Sequence, residues 1–175
     1  MEKIKNINLN NDNLYFSFNY TKTLEEVYEI LKENICHIHG TFPELLIFGH
    51  GKTESDIYDE YNKISGSYEV GSESAIMSSR DILRKDTEFI IENKKGFFEK
   101  IEKNKITNIN VVGHSFGEVD MPYFQEILKR VDQNTKWNIF YYRENEREIF
   151  EKRMLEIGID KKNLIIKHSD LFYMK

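Results

Sequence analysis

Cysteine is almost missing from this sequence. Cys36 is the single one in 175 residues, which excludes an internal disulfide and any multi-cysteine zinc site. Proline is scarce too, with two residues, and glycine occurs only nine times, so each glycine-bearing turn is informative about the fold. No apolar run approaches the roughly 20 residues of a membrane-spanning helix, and the N-terminus lacks the basic-then-apolar pattern of a signal peptide. A basic surplus is also wanting: the net charge is −5 with both signs interspersed, which argues against direct nucleic-acid binding. A soluble cytoplasmic protein that does not engage membranes is the expectation.

What is present suffices for a core. Hydrophobic residues make up 39% and aromatics 13%, spread along the whole chain, which favours one compact domain over disorder. Residues 1–13 read as a polar, asparagine-rich and loosely packed leader. Residues 14–175 read as a single α/β domain with a helical excursion around residues 52–104. Short apolar runs predict strands at "LYFSF", "NICHIHG", "ELLIFGHG", "INVVG", "KWNIFYY" and "NLIIKHSD". Helical spacing marks "TKTLEEVYEILKE", with Thr23 and Glu26 as a capping box. It also marks the stretch up to Asn104 with Gly96 as a break point, then "DMPYFQEILKRV" and "ENEREIFEKRMLEIG". Strands alternate with helices, and several strands are continuously apolar. That pattern predicts a mainly parallel sheet of about five to six strands with helices on both faces.

In such a sheet, ligands gather at the carboxyl ends of the strands. Here those ends carry "FNYT", "HIHG", "FGHG" and "GHSFGEVD". Asn19 offers a donor and an acceptor in one short group, suited to a ribose hydroxyl or a water; the alternative is a cap for the following helix. His37 and His39 flank Ile38 and should point the same way from a strand, leaving His39 at the rim before Gly40, where it could act as a general base. The alternative is a pair of hydrogen-bonded structural histidines. His50 and His114 occupy similar Gly-His turns, but three histidines on separate turns lack the usual metal-ligand spacing, and no metal is expected.

"GHSFG" also spells G-x-S-x-G, the pattern of a nucleophile elbow centred on Ser115, with Asp160 and His168 downstream in hydrolase order. Glu118 and Asp120 follow immediately, however. Carboxylates beside an oxyanion hole oppose the charge it must stabilise, so context weighs against the serine hydrolase.

Taken together, "FNYTKTLEEVY", "HIHG", "LLIFGHG", "VVGHSFGEVDMPYF" and "WNIFYY" resemble the bacteriophage abortive-infection AbiH family from about Phe16 to Tyr142. That family in turn looks distantly similar to sirtuin-like NAD-binding domains, and the resemblance implies a Rossmann-like fold. It implies Asn19 and His39 as catalytic residues, the latter acting as base on ribose hydroxyls. Tyr20, Gly40, Gly113, His114, Ser115 and Asp120 would line the nucleotide-binding turns, with NAD as the ligand and NAD hydrolysis during phage defence as the activity. One departure stands out: members begin with a strand and a glycine-rich phosphate loop, whereas residues 1–13 contain no glycine. The resemblance therefore implies a domain truncated at its N-terminus, completed by a second copy or a partner chain, or else a non-catalytic remnant that binds a partner.

Overall fold

The computed structural model describes residues 7, 9–49 and 85–173. His50 and residues 52–84 of the expected excursion lie outside the described residues. The described residues form five strands, paired in parallel: β1 (Tyr15–Ser17), β2 (Ile35–His37), β3 (Asn108–Val112), β4 (Lys136–Tyr141) and β5 (Leu164–His168). They do not form the single sheet that the apolar runs predict. β1 pairs with β2 in one sheet, and β3, β4 and β5 form a second in that order.

β4 is the central strand of the larger sheet, and every residue from Trp137 to Tyr141 is buried. Trp137, Ile139 and Tyr141 enter the main core with Phe98, Phe124, Phe150 and Met154. On its other face Phe140 meets the ring of Phe172, with centroids 5.2 Å apart. β3 is an edge strand and alternates accordingly, with Asn108 and Asn110 exposed, where the run "INVV" had predicted a fully buried strand.

The two sheets are joined by rings rather than by backbone hydrogen bonds. Phe16 and Phe18 of the β1 segment pack on Phe98, Tyr123 and Phe124, at centroid distances of 5.6 to 6.3 Å. Those partners belong to α3 (Lys95–Lys103) and α4 (Met121–Arg130). α2 (Thr87–Asn93) starts at Asp86, whose carboxylate accepts from the Phe89 N–H, and the α2–α3 break falls at Lys94 rather than Gly96. α5 (Glu144–Glu156) connects β4 to β5 and ends before Gly158, whose φ of +103° is glycine territory. α6 (Asp170–Tyr173) closes the described chain. No described helix is long and apolar enough to cross a membrane.

Three local expectations are corrected. The helix expected across "TKTLEEVYEILKE" is one turn, α1 (Thr23–Glu26), and Thr23 is its first residue rather than its cap. Asn11 captures the chain beyond it: its Oδ1 accepts from the Leu31 N–H at 2.7 Å and its Nδ2 donates to the Glu29 carbonyl. Glu29 turns to φ +55°, and Ile30 is buried. The same bonds fix Asn11 against the turn at residues 29–31. Finally, residues 41–49 form no strand; the segment folds back so that the Ile47 N–H donates to the His39 carbonyl at 2.9 Å.

One buried polar residue supports the β4–β5 end of the sheet. Asn163 is 2% exposed; its Nδ2 donates to the Gln133 carbonyl at 2.6 Å and its Oδ1 accepts from Lys136 Nζ at 2.7 Å. Asn163→Ala removes the donor of the Gln133 carbonyl and one of two acceptors of Lys136 Nζ, which keeps the Lys162 carbonyl, and should cost about 1–3 kcal/mol, read as a lower urea midpoint at unchanged slope.

Candidate functional site

Gly40 sets the local path at the exit of β2. Its φ is +79°, and a Cβ there would run into the Leu45 carbonyl oxygen, so only glycine lets the returning segment lie this close. The strand has already ended at His37, and the two histidines part company instead of sharing a face. His37 turns outward: Nε2 meets Glu25 Oε1 at 2.9 Å and Nδ1 lies 3.3 Å from the Asn19 carbonyl, so it braces the β1 exit. His39 goes inward and is 3% exposed, buried rather than at the rim.

His39 meets a group drawn from three other places in the chain. Its Nε2 lies 3.3 Å from Lys85 Nζ and 3.5 Å from Asp120 Oδ1. Lys85 Nζ is in turn 3.7 Å from Asp120 Oδ1, and His114 Nε2 is 3.4 Å from Asp120 Oδ2. Asp120 caps the first turn of α4 by position, yet its side chain makes no capping bond and faces the two imidazoles. His114 Nδ1 accepts from the Phe116 N–H at 2.9 Å, which places its proton on Nε2, toward Asp120.

Burial, with the Lys85 charge second, pushes His39 down to about 4, so it is neutral at physiological pH. Lys85 Nζ, which can only donate, lies 3.3 Å from Nε2, so in the neutral ring that nitrogen carries the lone pair, facing Lys85 and Asp120. Burial raises the Asp120 carboxyl, but the His114 hydrogen bond and the Lys85 charge outweigh it and hold the group below the usual range. Two buried atoms here have no hydrogen-bond partner among the described residues: Asp120 Oδ1 and the Tyr123 hydroxyl. Tyr123 is fully buried with its ring 5.6 Å from that of His39, and burial followed by the Asp120 charge keeps it protonated. Tyr20 lies at the edge of the same group, its ring 6.2 Å from His39 and its hydroxyl donating to the Ile47 carbonyl.

The structure therefore brings His39, His114, Asp120 and Tyr20 together, next to Gly40. Gly113, His114 and Ser115 line an adjoining cleft at the ends of β3 to β5, so His114 is the wall shared by both. Asn19 is exposed at the β1 exit; its N–H binds Ser17 Oγ, and it makes no hydrogen bond to the His39 group. Lys85 and Tyr123 were not foreseen. Tyr123 follows Asp120 by three residues on a helix start, a spacing that shares a face and could have marked it. Lys85 sits in a polar stretch where nothing local distinguishes it.

The Ser115 elbow is not assembled. The left-handed residues of the turn are Gly113 (φ +69°) and Phe116 (φ +55°), not Ser115, and α4 starts only at Met121. His168 pairs with Asp170 at 3.3 Å, and among the described residues the Ser115 hydroxyl makes no hydrogen bond to any imidazole. Among the described residues no group of three or more His, Cys, Asp or Glu side chains is placed to hold a metal ion.

Parallel strands whose exits carry a buried histidine–carboxylate–lysine group define an α/β protein with its polar chemistry at the strand ends. The chain matches the model of the bacteriophage abortive infection AbiH family over residues 1–141 and belongs to that family. Membership places it among proteins of phage abortive-infection defence. No curated protein and no solved structure matches the chain.

Proposed function

We propose that this protein acts in abortive infection by cleaving a nicotinamide dinucleotide at the His39–Asp120 group, with His39 as the general base. The observation that carries the reading is the neutral, buried imidazole whose Nε2 lies 3.5 Å from Asp120 Oδ1, an atom that, like the buried Tyr123 hydroxyl of the same group, has no hydrogen-bond partner among the described residues. Such a group is complete only when a hydroxyl or water enters it. His39 Nε2 takes the proton of that hydroxyl or water, and Asp120 stabilises the imidazolium that forms. In the reaction the glycosidic bond between ribose C1′ and the nicotinamide nitrogen breaks, its electron pair leaving with nicotinamide and neutralising the pyridinium. Water oxygen bonds to C1′, and one proton is released through His39. The products are nicotinamide, ADP-ribose and a proton. Lys85 keeps the imidazole unprotonated between turnovers, and Asn19 at the neighbouring strand exit orients the water.

The two parallel sheets are read as parts of one Rossmann-like, sirtuin-like arrangement, with a second copy or partner strand between β1 and β3. The test is direct: purified full-length protein is incubated with NAD, and nicotinamide and ADP-ribose are separated by chromatography. Equimolar release of both is expected. Intact NAD after prolonged incubation with folded protein, in the presence and absence of lysate from infected cells, would sink the reading.

A further inference from the structure

The cleft beyond His114 takes no part in the proton chemistry, yet it is built as a binding site. It encloses about 570 Å³ at the carboxyl ends of β3, β4 and β5, within the range of small-molecule sites and where open parallel sheets bind ligands. Val112, Phe140 and Phe150 give it an apolar floor. Among the described residues no lysine or arginine lines it. What lines the rim instead is acceptors. Glu146 Oε2 receives the Tyr142 and Arg143 N–H groups at 3.0 and 2.9 Å, which fixes the carboxylate and leaves Oε1 without a partner among the described residues. The backbone bonds, Arg143 first, hold Glu146 ionised by lowering its carboxyl. Asp170 is a second carboxylate on the rim. Ser169 also lines the cleft: it is 7% exposed, and its hydroxyl has no hydrogen-bond partner among the described residues.

An apolar floor with a fixed anionic acceptor and a buried hydroxyl among the described residues fits a heteroaromatic base joined to a diol. We infer that the β3–β5 cleft binds a nucleoside through its free ribose diol, Glu146 accepting from the 2′-hydroxyl and the base lying on Phe140 and Phe150. This inference rests on the nucleotide reading of the neighbouring site and assigns that site's substrate class: a ligand with a free 2′-hydroxyl, and not its 2′-phosphorylated counterpart. Glu146, Phe150, Ser169 and Asp170 all lie past the residues matched to the family.

Titration calorimetry of the full chain with adenosine, 2′-deoxyadenosine and adenosine 2′-phosphate tests it. Adenosine should bind with a Kd below about 1 mM, and the other two about tenfold or more weakly, the loss of one charge-assisted hydrogen bond. Glu146→Gln keeps an acceptor for the helix cap and hence the fold, checked by an unchanged Tm. In that variant the preference for adenosine over 2′-deoxyadenosine should fall below about threefold. Equal binding of adenosine and 2′-deoxyadenosine, no adenosine binding at 10 mM (about ten times the expected Kd limit), or an unaltered preference in Glu146→Gln overturns the inference. Nicotinamide release from NAD in the same preparations separates the two claims. Release without diol discrimination leaves the hydrolase and removes the cleft assignment, whereas diol discrimination without release does the reverse.

Discussion

If His39 is the base of the proposed reaction, its replacement by glutamine should lower nicotinamide release by about a thousandfold, within the range expected for loss of a general base, while the protein still folds. The variant also changes how stability depends on pH, and this second readout is independent of any substrate. In the folded chain His39 sits near 4, against 6.5 for an ordinary histidine. Between these values the unfolded chain takes up a proton that the folded chain refuses, so stability falls as the pH drops from about 6.5 to about 4. The full effect is about 3 kcal/mol. Asp120 acts in the same direction further down, since its depressed carboxyl loses its stabilising contribution as pH falls below the ordinary carboxylate range. Thermal melts from pH 7 to pH 4 should therefore show a steep decline in the parent and a shallower one in His39→Gln. The activity profile carries the same signature: kcat/KM should stay level down to about pH 5 and fall only near 4, because the base remains unprotonated until then. Parallel melting curves for parent and variant would mean that His39 titrates as a free histidine.

The second large effect belongs to Gly40. Alanine there must adopt a left-handed backbone and places a methyl against the Leu45 carbonyl oxygen, which is backbone and has nowhere to go. A loss above about 3 kcal/mol is expected, lowering Tm by roughly 10 °C or abolishing soluble expression. Gly113→Ala is the control. It meets the same left-handed requirement at φ +69°, but nothing lies within 4 Å of the added Cβ, so only the backbone strain of about 1 kcal/mol applies. If the two variants melt together, the close approach of residues 41–49 to Gly40 is not what holds that turn.

The elements legible in the sequence were those whose signal is local. β4 reads as a strand from the aromatic and apolar run "KWNIFYY", and five of its residues are in fact buried, while α5 and β5 follow from their own spacing and the glycine at 158. What failed was decided at a distance. The helix after Thr23 is cut short by Asn11, and the apolar run at 44–49 is bent back onto Tyr20 and His39 instead of joining a sheet. Alternation predicted that His37 and His39 would share a face, but the strand ends between them, and the rule no longer applies. The candidate site divides in the same way. His39, His114 and Asp120 were marked by glycine turns at strand exits. Lys85, which meets His39 across 46 positions of chain, left no mark at all.

The seam between the two sheets has a consequence for how the molecule opens. Backbone amides in β3, β4 and β5 are held by a ladder that the β1–β2 pair does not share. Among the described residues they are connected through side chains, by rings such as Phe16 and Phe18, by Lys100 Nζ on the Glu33 carbonyl and by His39 beside Asp120, and none of these contacts locks a backbone N–H. Amide hydrogen exchange should accordingly sort the chain into separate cooperative units, with Phe16, Ile38 and their neighbours exchanging through a smaller opening than Ile139 or Ile166. The histidine group straddles that boundary, His39 on one unit and His114 on the other, so its geometry persists only while both remain closed.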